Sequence, residues 1–149
     1  MQPLNYPTFK PLFKSIGQKK YIFDRFRKKF VTLNPEEWVR QHVANYLVDY
    51  QGVPVSLVAV ESPIKYNNMH KRADIIVYTK RHVPGLVVEC KAPEIKLSTE
   101  TFWQVATYNM VLKAPYLLVT NGLESYLFCI DLQTNEMKEL DKLPNFSEW

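Results

Sequence analysis

The spacing of apolar residues changes several times along this chain, and each change marks an element. Residues 1–18 carry three prolines and little periodicity, which predicts an extended lead-in that wraps the surface. YIFD and then RKKFVTL are each suited to a short strand. At NPEEWVRQHVANYLVDY the spacing becomes helical: Val39, Val43, Tyr46, Leu47 and Tyr50 trace one apolar face, Asn34 suits the N-cap and Pro35 the first turn. Gly52 and Pro54 end it.

Three β-branched runs follow, VSLVAVE, ADIIVYTK and GLVVECK, separated by loops that contain Asn67, Asn68, Pro84 and Gly85. TETFWQVATYNMVLK is again helical, opening after Ser98 or Thr99 and closing before Pro115. YLLVTNG reads as a buried strand, with SYLFCIDL and EMKEL as a closing meander. No repeat is visible, so residues 1–149 are expected to form one domain of mixed α and β structure, in the order helix, three strands, helix, strands.

Composition changes this picture little. Hydrophobic residues make up 46% of the chain and charged residues 23%, the balance of a globular protein with a core of its own. The opening MQPLNYPTFK has no basic stretch leading into an apolar one, and no run of about 18 apolar residues occurs. A soluble, cytoplasmic protein without membrane association is therefore expected. Cys90 and Cys129 sit inside apolar runs without CxxC spacing and read as reduced core residues. The net charge of +4 is compatible with a polyanionic partner without demanding one. Lys19, Lys20, Arg25, Arg27, Lys28 and Lys29 gather before the first helix, either as a solvated edge or as a phosphate-contacting patch.

The candidate chemistry lies where charges interrupt apolar strands. Strand side chains alternate, so in GLVVECK the residues Glu89 and Lys91 share one face while Val88 and Cys90 take the other. Unpaired buried charge is costly, and something must compensate it. Asp74 is the single acid in ADIIVY; if the two strands pair as a hairpin, Asp74 and Glu89 converge at one end of the sheet. Two carboxylates at one point suit a hard divalent cation, and a neighbouring lysine can offset charge on a phosphate undergoing attack. Singly, each has a plainer explanation: Asp74 as a strand-end acid paired with Arg72, Glu89 and Lys91 as an exposed edge pair. Together they point to a site.

Asp74 followed by Glu89-Cys90-Lys91 resembles the D...(D/E)xK signature of the PD-(D/E)xK nuclease superfamily, and QVATY, from Gln104 to Tyr108, is similar to the QxxxY motif of recombination-type exonucleases and type I restriction subunits. NPEEWVRQHVANYL resembles the acidic first helix, and the whole is similar to the type I restriction enzyme R protein N-terminal domain family from about Tyr21 to Leu132. The resemblance implies a restriction-endonuclease-like fold, a mixed central sheet flanked by helices with an α-β-β-β-α-β core. It implies a nuclease acting on DNA with Mg2+ or Mn2+, in which Asp74, Glu89 and the Cys90 carbonyl hold the metal and Lys91 is the catalytic lysine. The helical acid falls on Glu37 or its neighbour Glu36, with Glu37 preferred, although Glu37 also completes a capping box with Asn34. Gln104 and Tyr108, four apart on one helical face, would contact the nucleic-acid backbone or buttress the lysine, while Tyr108 also fits a core residue with its hydroxyl at the rim.

Ala73 stands where the signature's proline would, and no GxxxxGK[ST] follows, so no nucleotide cofactor is expected. His42, His70 and His82 have no metal-ligand spacing. A chain of this size would choose its target with the help of other subunits or a homodimer. A binding or assembly module that keeps the fold without turnover is the alternative, and the retention of Asp74, Glu89 and Lys91 speaks against it.

Overall fold

The apolar run GLVVEC becomes the middle of a six-stranded sheet because it is covered on both faces, the situation that favours continuous rather than alternating hydrophobicity. The computed structural model describes residues 1–149, the Met69 side chain excepted. A small antiparallel sheet comes first, of β1 (Phe13–Ile16), β2 (Lys19–Asp24) and β3 (Lys29–Thr32). Helix α1 (Pro35–Asp49) follows, then β4 (Val58–Tyr66), β5 (Met69–Tyr78) and β6 (Pro84–Cys90). Helix α2 (Thr99–Leu112) crosses over to β7 (Tyr116–Thr120), and β8 (Ser125–Ile130) and β9 (Met137–Leu140) close the chain's sheet.

The six strands lie in the order β4-β5-β6-β7-β8-β9, with β6 and β7 parallel and every other pair antiparallel. This is the mixed sheet and the α-β-β-β-α-β order expected from the sequence. The helices take opposite faces. Val39, Val43 and Leu47 of α1 pack on Ile75, Val77, Leu86 and Val88, whereas Val105 and Tyr108 of α2 pack on Ile76, Val87, Leu117 and Val119. Asn34 caps α1 by accepting the Glu37 N–H at 2.8 Å, and Ser98 caps α2 through the Thr101 N–H.

Several details differ from the sequence reading. The lead-in does run over the surface, with the Asn5 N–H donating to the Gly122 carbonyl and the Trp38 indole N–H to the Gln2 carbonyl. Its last part, however, is the paired strand β1. Residues 55–57 form a turn of 3-10 helix before β4, and β4 then continues well past Glu61. The extension is made possible by a two-residue hairpin turn at Asn67 and Asn68, both with positive φ, of 46° and 61°. Pro63 is tolerated in β4 because that strand is an edge.

Helix α1 is also not a simple amphipathic helix. Tyr50, placed on the apolar face by spacing, is 59% exposed, while Arg40, Gln41 and Asn45 are buried. The lead-in at residues 9–12 and strand β2 adjoin these polar residues and help to cover them. Arg40, 1% exposed, is held there by Asp24 of β2 at 2.8 Å and by Glu37. A buried guanidinium persists only when paired in this way.

Candidate active site

The site forms where the pleat of β5 breaks. Val60 pairs with Ile75 and Ser62 with Ala73, but between them Glu61 and Asp74 face each other outside the ladder. Glu61 has φ 52°, a left-handed conformation that costs a non-glycine residue on the order of 1 kcal/mol. The break changes the faces: Ile75 packs in the α1-side core, whereas Ala73, two residues earlier, packs in the α2-side core. Asp74 sits at the crossing point.

On the other side of β5, Ile75 pairs with Val88, so the next position along sets Asp74 opposite Glu89. The backbone ladder stops there and the Asp74 side chain replaces it, its Oδ2 accepting the Cys90 N–H at 2.6 Å. Glu89 is 4% exposed on a central strand, which removes the edge-pair explanation, and Arg72 reaches Glu61 at 3.6 Å rather than Asp74. The Lys91 ammonium lies 3.3 Å from Glu89 Oε1 and 3.2 Å from Gln104 Oε1. Gln104 in turn donates through Nε2 to the Tyr108 hydroxyl at 2.9 Å. A line of polar contacts therefore runs from α2 through the lysine to the acid.

Burial sets the electrostatics. The Asp74 carboxyl is pushed up to about 8, first by burial and then by the charge of Glu89, with the Cys90 N–H working in the opposite direction. Glu89 is pushed up to about 6 by burial, against the downward pull of Lys91. Glu36 is raised by its partial burial and lowered in part by Lys91, and both Asp74 and Glu89 feel its charge. Burial also raises the Tyr108 hydroxyl, with Glu89 adding to the effect. The Cys90 thiol is buried and raised well above its ordinary value, which leaves it unreactive; Cys129 is free and only partly buried.

The structure thus brings Asp74, Glu89, Lys91, Gln104 and Tyr108 together, with the Cys90 backbone between the acid and the lysine. It does not bring Glu37. That carboxylate is bound by Arg27 at 2.9 Å, by Arg40 Nε at 3.0 Å and by Gln41 at 3.0 Å, in the buried network that includes Asp24. Glu36, one position earlier and so turned by about a quarter of a circle, is exposed and close enough for Asp74 and Glu89 to feel its charge. Of the two helical acids, Glu37 is thus committed to that network and Glu36 is not. Glu61 is a further acid that the sequence reading passed over; a single charge closing the apolar run VSLVAV was the available signal. His42 stacks against Trp38 and Phe9, consistent with a packing role.

Among the described residues no three His, Cys, Asp or Glu side chains form a ready metal cage. Two carboxylates do meet, and Glu89 Oε2 is buried without a hydrogen-bond partner. Magnesium commonly takes one or two carboxylates and keeps several waters, so this donor set fits it. In the metal-free chain the raised Asp74 carboxyl can share its proton with Glu89, and a bound cation would take that proton's place.

The protein is thus of mixed α and β class, a sheet with one helix on each face that carries one acid at the break within β5 and an acid and a lysine at the end of β6. Residues 35–144 match the family model described as type I restriction enzyme R protein N terminus, and the chain belongs to that family. A solved structure with a similar fold is the fragment of a putative HsdR subunit of a type I restriction enzyme from Vibrio vulnificus YJ016, at 22% identity and a TM-score of 0.55. The likeness covers 78% of this chain and 24% of that one, so the chain spans about a quarter of the HsdR fragment. No curated protein matches. The family match begins at Pro35, leaving β1, β2 and β3 outside it.

Proposed function

We propose that this chain is a metal-dependent nuclease of the PD-(D/E)xK type that hydrolyses phosphodiester bonds in DNA. The observation that carries the reading is the buried pair Asp74 and Glu89 beside Lys91, with one Glu89 oxygen unpartnered. Asp74, Glu89 and the Cys90 carbonyl would hold Mg2+ or Mn2+, with Glu36 as the helical acid. The cation, when bound, supplies an acidified water and offsets negative charge on the phosphate.

The protein's own residues have separable tasks. Lys91 is held between Glu89 and Gln104, which fixes its ammonium where charge develops on the phosphoryl oxygen. Gln104 positions that lysine from α2, and the buried Tyr108 hydroxyl holds Gln104 in turn. Membership of the type I restriction R protein family supports DNA as substrate and other subunits of a restriction assembly as partners. The test is nicking of supercoiled plasmid with magnesium or manganese. Wild type is expected to nick, and Asp74→Ala and Lys91→Ala to lose that activity while remaining folded; nicking at the wild-type rate by either variant would sink the reading.

A further inference from the structure

The small sheet stands outside the family match and takes no part in the proposed cleavage, yet its surface has a definite character. Eight of the 19 basic residues and one of the 15 acids fall in residues 1–33. That one acid, Asp24, is buried and bound by Arg27 and Arg40, and Arg25 is bound by Asp49. Among the described residues Lys14, Lys19, Lys20, Lys28 and Lys29 make no ion pair, and all five are exposed. The sheet therefore presents positive charge to solvent with no acid to balance it.

Alternation sorts its side chains. Ile22 and Asp24 turn towards α1, so Lys19, Tyr21 and Phe23 take the outer face. Cross-strand pairing places Ile16 beside Lys19, Lys14 and Thr32 beside Tyr21, and Phe30 beside Phe23. Phe30 is 39% exposed, packs edge-on against Phe23 at 5.4 Å, and has the Lys14 ammonium 5.5 Å from its ring centre. Ile16 is 56% exposed. Aromatic rings interleaved with lysines on an open sheet face provide what a strand with unpaired bases requires: flat surfaces for stacking and cations for phosphates. A duplex would use the lysines and leave the rings idle.

We infer that the outer face of β1, β2 and β3 binds single-stranded DNA, with a base on Phe30 and phosphates on Lys14 and Lys19. The choice of DNA over RNA rests on the proposed nuclease reading. The face is also near enough to matter for that site, because six residues separate Phe30 from Glu36, a reach of at most roughly 21 Å.

The experiment is fluorescence anisotropy of the full chain with a labelled oligothymidylate of about 20 nucleotides, long enough for one such site, in EDTA so that binding is read without cleavage. Phe30→Leu keeps apolar bulk and removes the ring; it is expected to weaken binding roughly 5- to 100-fold. Lys14→Ala with Lys19→Ala should weaken it by at least about tenfold and flatten the dependence of log K on log salt by roughly 0.7 for each lysine removed. Lys138→Ala on β9 should bind as wild type. Melting curves establish that each variant is folded. Unchanged affinity in Phe30→Leu, equal affinity for a duplex of the same length, or tighter binding of oligouridylate RNA each overturns the inference. A wild type that nicks with metal but does not bind the oligothymidylate counts against the face alone, and a wild type that binds it but does not nick counts against the nuclease reading alone.

Discussion

The Cys90 N–H donates to Asp74 Oδ2 at 2.6 Å, so a side chain of β5 continues the pairing with β6 just where the backbone ladder ends. One carboxylate oxygen is thereby spent on structure, and the Asp74 carboxyl is held against Glu89.

That arrangement predicts a split outcome for Asp74→Asn. The amide oxygen can still accept the Cys90 N–H, and a buried charge is removed. The metal-free protein is expected to melt a few degrees higher at pH 8, on the scale of about 2–4 °C per kcal/mol for a chain of this size, while metal-dependent nicking is lost. Calorimetric melting beside a plasmid assay checks both; a lower melting temperature would contradict the account of the buried pair.

Stability should also depend on pH with a definite sign. Asp74 and Glu89 titrate at about 8 and about 6 in the folded chain, above the ordinary carboxylate values to which unfolding returns them. Between those limits the folded state binds more protons than the unfolded one, so stability is greatest at low pH within the window and falls as pH rises from about 5 to about 8. Magnesium or manganese should recover the loss, most strongly at the upper end. Melting temperature against pH, with and without the cation, reads this directly, and a flat profile would refute it.

Gln104 is a positioning residue, since it acts through Lys91. Gln104→Ala is expected to lower kcat by roughly ten- to a hundredfold, the scale of one hydrogen bond to a charged group, with KM little changed. Tyr108→Phe, one step further along the chain of contacts, should have a smaller effect in the same direction. Single-turnover rates measured across substrate concentrations separate kcat from KM; a rise in KM alone would place Gln104 on the substrate instead.

Glu36 and Glu37 should part company. Glu37→Ala leaves Arg40 buried without one of its two acids and is expected to cost about 3–5 kcal/mol, as for other broken buried pairs. Glu36→Gln should change stability by no more than about 0.5 kcal/mol, as at other exposed positions, yet reduce metal-dependent cleavage. Urea unfolding and nicking rates on the two variants decide the matter, and the reverse pattern would restore Glu37 to the site.

These two residues also show where the sequence was legible and where it was not. Asp74, Glu89 and Lys91 stood out because single charges interrupt otherwise apolar strands; hairpin pairing sufficed to set Asp74 beside Glu89, whereas the break in alternation at Asp74 was not legible. Gln104 and Tyr108 followed from helical spacing. Glu36 and Glu37 share the first turn of α1, and which of them is committed to the buried network depends on Arg27 and on the pairing of Arg40 with Asp24, long-range partnerships without periodic signal. The left-handed backbone at Glu61 leaves no compositional trace either. Strand β1 was missed because all four of its residues are exposed and show no inside-outside alternation.

The crossover through α2 has a consequence for how the protein comes into being. β6 can pair in parallel with β7 only after residues 91–115 have been made and ordered, and the same passage contains Gln104. A chain folded only as far as Cys90 has both carboxylates in place, but neither the lysine nor the glutamine that steadies it. Closure of the sheet and the pairing of Lys91 with Gln104 therefore both wait for the same stretch of chain, so the lysine gains its partner only as the crossover that completes the sheet is made.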